Sequence, residues 1–321
     1  MYQPLISIVI PVYNGSNYLK EALDSALRQS YSRTEIIVVN DGSCDEGKTQ
    51  EVITSYKGKI RPFCKNNGGV ATALNLAIRN MKGDYFAWLS HDDLLKPNAL
   101  EIYVSYLQQV SPETILYGNY DLIDETSTPY NIVDFLNKYT KKELENSVYP
   151  VITGCVNGCA CLIHKSHFAR VGLFNEKLKI TQDNEMWFRI FRGQKIKFIG
   201  EILSSKRYHK EQDSNTKNVY PDEDRFIYES LKTLTLKEKS SFSGNLSRFY
   251  IQFLKIAGDG KHPLMEGYCK AMLKNAESAK TYEKMNENEL RELLAISNKS
   301  YQKLQKKYDE LQQKYVRQWM R

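Results

Sequence analysis

No stretch of this 321-residue chain approaches 18 consecutive apolar residues, so no segment reads as a membrane-spanning helix. The amino terminus, MYQPLISIVIPVYNG, is apolar but has neither a basic leading segment nor a small-residue cleavage site. It reads as a strand rather than a secretory signal. No G-x-G-x-x-G follows the first apolar run, and no Walker A sequence occurs. Both absences argue against a dinucleotide dehydrogenase and a P-loop nucleotidase. Six cysteines, widely scattered, are too few for a disulfide scaffold in a chain this long. Cys155, Cys159 and Cys161 lie near His164 and His167 but contain no paired C-x-x-C, which argues against zinc.

What is present is a globular composition, 41% hydrophobic and 12% aromatic. The net charge of +7 is unevenly spread. Between Lys280 and Arg321 stand ten Lys or Arg against six Asp or Glu, so over half of the excess lies in that tail. Such a run is a solvated helical face or a contact for an anionic membrane surface. Leu290, Leu294, Ser297, Tyr301, Leu304, Tyr308, Leu311 and Tyr315 fall on alternating three- and four-residue steps. That is the seam of a self-associating coiled coil over 290–315, or of a single amphipathic helix.

Along the chain, Leu5–Val12, Ile36–Val39, Ile60–Cys64 and Tyr85–Leu89 are short apolar runs separated by helical periodicities in Asn17–Gln29, Glu46–Tyr56 and Val70–Asn80. The alternation predicts an α/β fold, a mostly parallel sheet flanked by helices. Each run ends in a polar or glycine-containing turn, and in such sheets the ligand crevice lies off the carboxyl ends of the strands. Asn14, Asp41, Asn67 and Asp92 can therefore converge. Further strands are expected at Thr114–Asp121, Val156–His164 and Lys195–Ile199, with a loop and short helix over Asp124–Val151. Phe226–Ala279 reads as helices.

The segment DYFAWLSHDDLLKP stands out. A buried strand, Tyr85–Leu89, delivers Ser90-His91-Asp92-Asp93 to its carboxyl end. Two adjacent carboxylates there hold a cation between them, or else one of them caps the following helix. Asp183 and Glu185 stand at the start of another helix, where the dipole favours negative charge.

Five segments together, IVIPVYNG (Ile8–Gly15), IIVVNDGS (Ile36–Ser43), NNGGVATALN (Asn66–Asn75), LSHDDLLKP (Leu89–Pro97) and QDNEMWFR (Gln182–Arg189), resemble family 2 glycosyltransferases over about residues 4–215. The resemblance implies a GT-A, Rossmann-like fold and inverting transfer of a sugar from a nucleotide-sugar, most simply a UDP-sugar. The acceptor would be a hydroxyl of a glycan or lipid-linked molecule. It places Pro11, Tyr13, Asn14, Asp41, Asn67, Gly69, Ser90, His91, Asp92 and Asp93 around the donor. Tyr13 would line the base and Asp41 would accept its N–H. Asp92, Asp93 and His209, the last in a Y-R-x-H-like segment, would meet Mn²⁺ or Mg²⁺. Asp183 would be the general base. The enzyme class expected is hexosyl- or N-acetylhexosaminyl-transferase of bacterial polysaccharide type. The expected location is cytoplasmic, at the inner face of the membrane, with no nucleic-acid partner and with self-association through 290–315.

Three positions depart from the family pattern. Ser90 replaces the first Asp of D-x-D, Gln182 replaces the Glu before the base, and Leu74 replaces a frequent Arg. These departures leave open an alternative, a non-catalytic nucleotide-sugar-binding scaffold acting through a coiled-coil tail. The expected organisation is a transferase domain over 1–224, with a donor half 1–110 and an acceptor half 111–224. A helical extension over 225–280 and an amphipathic or coiled-coil helix over 281–321 would follow, the extension and tail lying beyond the resemblance.

Overall fold

The computed structural model describes residues 2–210, 212, 218–243, 246–257 and 261–278. The heptad run over 290–315 and the basic tail lie outside the described residues. The chain divides into two compact units, Met1–Asp222 and Glu223–Arg321.

The first unit is built on four parallel strands, β1 (Ile6–Val12), β2 (Thr34–Asn40), β3 (Arg61–Cys64) and β4 (Tyr85–Trp88). β1 is buried along its whole length, as a β-branched run covered on both faces must be. The helices between these strands are α1 (Leu19–Leu27), α2 (Lys48–Ser55) and α3 (Val70–Asn80). α1 turns Leu19, Ala22, Leu23 and Ala26 inward, the spacing of one helix face.

Beyond β4 the sheet becomes mixed. β5 (Leu94–Leu95) is followed by α4 (Ala99–Leu107), β6 (Ile115–Ile123) and β7 (Pro129–Val133). Two short helices, α5 (Lys141–Leu144) and α6 (Tyr149–Ile152), precede β8 (Cys161–His164) and α7 (Ser166–Val171). Then come α8 (Gln182–Phe191) and β9 (Ile196–Arg207). The strand order is β3-β2-β1-β4-β8-β6-β9-β5, with β7 paired to β6. β8 runs antiparallel between β4 and β6, whereas β9 is parallel to β6.

Three expectations are refined. The strand expected over Val156–His164 begins only at Cys161, because Asn157 caps a 3-10 turn at Gly158–Ala160 by accepting from the Cys159 amide at 2.9 Å. Asp124–Val151 holds an edge strand, β7, whose Tyr130 and Ile132 are exposed, so it carries no burial alternation for a sequence to display. β9 runs twelve residues, to Arg207, well past Ile199.

The amino-terminal edge of the parallel sheet is tied by one carboxylate. Glu35, at the start of β2, accepts from Ser7 Oγ of β1 at 2.5 Å and from Arg61 of β3. It also accepts from the amides of Lys82 and Gly83 before β4. Burial opposes the charge on Glu35, but these four donors hold its pKa below the usual value.

In the second unit and across its boundary, the described helices are Tyr220–Thr233, Leu236–Ser243, Leu246–Ala257 and Pro263–Ser278. Buried Asp224 caps the last of them, accepting from the Leu264 and Met265 amides at 2.8 and 3.0 Å. Buried Lys239 donates to Tyr268 Oη at 3.1 Å and lies 5.6 Å from the Tyr250 and Tyr268 ring centres. Burial holds its pKa down at about 8. Among the described residues no helix is long and apolar enough to cross a membrane.

Glu35→Gln is expected to lower stability at neutral pH by about 1–3 kcal/mol, the scale of hydrogen bonds to a charged group. A carboxylate with a depressed folded pKa contributes stability above its unfolded pKa and loses it as pH falls through the folded one. Denaturant unfolding of wild type and variant should therefore diverge above about pH 5 and converge in acid. A pH-independent gap would contradict the charge-based role.

Candidate active site

The sheet opens between β1 and β4. Their pairing ends at Val9 opposite Trp88, while β1 continues along β2 to Val12 opposite Asn40. Buried Pro11 pairs with Val39 on the β2 side, beyond the last β4 partner. A residue without an N–H is tolerated where a neighbouring strand has already left. This gap is the point where the strand order reverses, the place such sheets bind ligands.

On the β1 side, Tyr13 is 44% exposed and Asn14 follows with φ of 49°. Asn suits that left-handed geometry because its short side chain bonds locally. Its Oδ1 accepts from the Cys44 amide at 2.8 Å, and its own amide donates to Ser43 Oγ at 2.9 Å. Tyr13 Oη and Cys44 Sγ lie 3.4 Å apart. Hydrogen bonds from Tyr13 and Asn14 lower the exposed Cys44 thiol below its usual range.

Asp41 is 3% exposed and well paired. Its carboxylate accepts from Lys65 Nζ at 2.5 Å and from the Gly69 amide at 2.7 Å, with the Gly68 amide at 3.2 Å. Gly42 has φ of 73°, and a Cβ there would come 2.6 Å from Asn67 N, so the 65–69 loop lies directly against the β2 turn. Asn67 itself is exposed. Lys179 Nζ donates to Gly68 O at 2.9 Å, which brings the approach to α8 onto the same loop.

On the β4 side, each residue of Ser90-His91-Asp92-Asp93 has a different environment. Ser90 Oγ accepts from the buried Cys159 thiol at 3.4 Å. His91 packs on Gly15: a Cβ at Gly15 would fall 2.2 Å from His91 Cδ2. Burial lowers the His91 pKa. Asp92 Oδ2 lies 3.1 Å from His209 Nε2 and 3.4 Å from Gln212 Nε2. Burial works to raise its pKa, but bonding to His209 and the nearby His91 ring prevail and hold it at about 2. Asp93 is 5% exposed, its Oδ1 accepting from the Arg207 amide at 2.9 Å. Burial and the Asp92 charge push it up to about 7. Asp92 and His209 are thus together, whereas Asp93 is committed to the interior.

Asp183 lies in the first turn of α8, half-buried, its Oδ1 accepting from the Asn184 amide at 2.9 Å. α8 is fixed against the β4 end by Trp187, whose ring centre is 6.4 Å from that of Trp88. Asn75 of α3 clasps the segment before α8, exchanging hydrogen bonds of 2.9 Å with Phe174 N and O.

No three His, Cys, Asp or Glu side chains gather as a metal-binding group among the described residues. The Asp92–His209 pair supplies one carboxylate and one imidazole. The carboxylate suits Mn²⁺ or Mg²⁺ when ligand phosphates and water complete the shell, whereas the imidazole nitrogen suits the softer Mn²⁺ better than Mg²⁺. The residues present fit a divalent cation in that limited sense.

Lys65, Cys159, Arg207 and Gln212 are absent from the sequence-derived set. Arg207 carried one visible signal, a charge at the end of a strand, immediately before Tyr208-His209. Cys159 stood in the Cys–His cluster weighed for zinc, and Lys65 and Gln212 have only tertiary partners to reveal them.

A family model described as glycosyl transferase family 2 matches residues 7–171. An uncharacterized glycosyltransferase of Rickettsia felis is 45% identical over 240 residues, covering 74% of this chain and 40% of that protein. The chain thus spans about two fifths of that relative's length. S. aureus TarS 1-349 in complex with UDP-GlcNAc matches with a TM-score of 0.62 at 16% identity, covering 84% of this chain and 79% of that one. The mannosyltransferase PcManGT from Pyrobaculum calidifontis, in complex with GDP-Man and Mn²⁺, gives 0.59 at 16% identity, covering 95% and 84%. At these identities the structural likeness is one of fold, the GT-A arrangement.

Gly15→Ala is expected to displace His91 and cost about 1–3 kcal/mol, the range for overpacking. Gly200→Ala, where the nearest atom would be 3.7 Å away, serves as control. Equal thermal midpoints for the two variants would contradict the close packing at the crevice.

Proposed function

Since the chain belongs to glycosyl transferase family 2, we propose that it transfers a sugar from a nucleotide-sugar, a UDP-sugar in our reading, to a hydroxyl of a glycan or lipid-linked acceptor, inverting the anomeric carbon. The sugar would be a hexose or N-acetylhexosamine, and the product a bacterial surface polysaccharide assembled at the inner membrane face. The observation that carries this reading is the Asp92–His209 pair just past the point where β4 parts from β1, with His91 of the same turn packed on Gly15. The nucleotide-sugars bound by TarS and PcManGT support it.

In this reading Tyr13 offers its exposed ring to the base. Asp41 takes the base N–H while Lys65 and the Gly68 and Gly69 amides hold its carboxylate in place. Asn14, Asn67 and Gly69 border the nucleotide. Asp92 and His209 would hold Mn²⁺ or Mg²⁺; Asp93 keeps the turn in place from behind. When bound, the cation supplies positive charge to offset that developing on the departing diphosphate. Asp183 takes the proton from the acceptor hydroxyl as that oxygen attacks the anomeric carbon and the bond to the phosphate oxygen breaks. Asp183 stands in the first turn of α8, at the positive end of the helix dipole. One base without an enzyme nucleophile gives a single displacement, hence inversion.

A screen of nucleotide-sugars for Mn²⁺-dependent thermal stabilisation would identify the donor, since ligands of the native state raise its stability by mass action. With that donor, Asp183→Asn is expected to lower transfer about 10²–10⁴-fold, the usual contribution of a general base. Donor binding should stay close to that of wild type, because the group removed acts only in the transition state. Undiminished transfer would remove Asp183 as the base, and the absence of stabilisation by any nucleotide-sugar would remove the reading.

A further inference from the structure

Arg207 is the largest charged side chain enclosed in the first unit, with 0% exposure. An enclosed guanidinium is costly unless its donors are met. Here they are met by three segments far apart in sequence. Nε donates to the Asp92 carbonyl at 2.8 Å. Nη1 donates to the Asp124 and Glu125 carbonyls at 3.2 and 3.3 Å and to Ser127 Oγ at 2.9 Å. Nη2 pairs with Glu21 of α1 at 2.9 Å.

The main chain of the same residue adds two more ties. Its amide donates to Asp93, and its carbonyl accepts from Gln212 Nε2 at 2.5 Å. Gln212 in turn reaches Asp92 Oδ2. The guanidinium carbon lies 4.4 Å from the Tyr18 ring centre, and that ring lies 5.0 Å from the His209 imidazole. Both members of the Asp92–His209 pair are therefore fixed through Arg207. Asp92 is held by its carbonyl and by Gln212, and His209 by the Tyr18 ring and by its place two residues along.

We propose that Arg207 is a positioning residue that sets the geometry of the Asp92–His209 pair toward a divalent cation bound with the donor diphosphate. This rests on the functional reading above. The planar fork is essential, because lysine offers a single charged centre with three donors and cannot span the three segments. Changes behind metal ligands typically lower metal affinity 10- to 100-fold.

The test uses the full chain and needs no turnover. Binding of UDP and of GDP is titrated against Mn²⁺ by calorimetry, and Mn²⁺ binding is followed by electron paramagnetic resonance. Arg207→Lys is expected to raise the Mn²⁺ concentration at half-maximal nucleotide binding by about tenfold or more. Glu21→Gln, which keeps the arginine but neutralises its partner, should shift it in the same direction by less. Arg61→Lys, which loosens the Glu35 tie instead, should lower the thermal midpoint without moving the half-point. If folded Arg207→Lys matches wild type, or Arg61→Lys shifts the half-point equally, Arg207 has no role beyond stability. Should Arg207→Lys fail to fold, an unchanged half-point in Glu21→Gln overturns the proposal. If wild type binds neither nucleotide in a Mn²⁺-dependent way, the functional reading itself fails and the inference with it; if wild type binds while the variants match it, only the role of Arg207 falls.

Discussion

Two parallel strands that pair for four residues and then part create the crevice on which everything else depends. β1 stays with β2 to Asn40, and β4 leaves it after Trp88. Past that point neither strand can satisfy the other's backbone, so both ends turn into loops bonded by side chains. Asn14 meets Ser43 and Cys44 on one side, and Ser90 meets Cys159 on the other. His91 closes on Gly15, which has no Cβ to obstruct it. The polar turns are thus a consequence of where the sheet stops.

Electrostatics then separates two neighbouring carboxylates that composition alone would treat alike. Two unpaired charges so close in a buried place repel strongly. Asp92 keeps its charge because His209 and Gln212 bond to it, while Asp93 is pushed up by burial and by Asp92. The outcome is one carboxylate paired with the His209 imidazole and one carboxyl held by the Arg207 amide. Ser90, where the family pattern has Asp, avoids adding a third charge, and its hydroxyl is engaged by the Cys159 thiol instead.

Much of the first unit was legible from the order of apolar runs. The four parallel strands and the three helices between them follow from β-branched blocks and helical spacing, and both are local signals. β7 was not legible because an edge strand with exposed Tyr130 and Ile132 buries no face and so shows no alternation. The late start of β8 was hidden because the Asn157 cap is decided by one side chain. For the candidate site, Asp41, Asp92 and Asp183 were visible as polar residues at element ends. The different surroundings of Asp92 and Asp93 were not, since adjacent residues differ only in what faces them.

The sequence by itself determined the alternation of strands and helices, the placing of polar turns at strand ends, and the family to which the chain belongs, because each is carried by runs of neighbouring residues. Only the tertiary structure decided the mixed sheet beyond β4, the pairing of Asp92 with His209 across 117 positions, and the enclosure of Arg207 between α1, the β4 turn and the β6–β7 turn. The reason is physical. Long-range pairing and burial are set by which surfaces meet, and a charge's worth depends on the dielectric and partners it finds there.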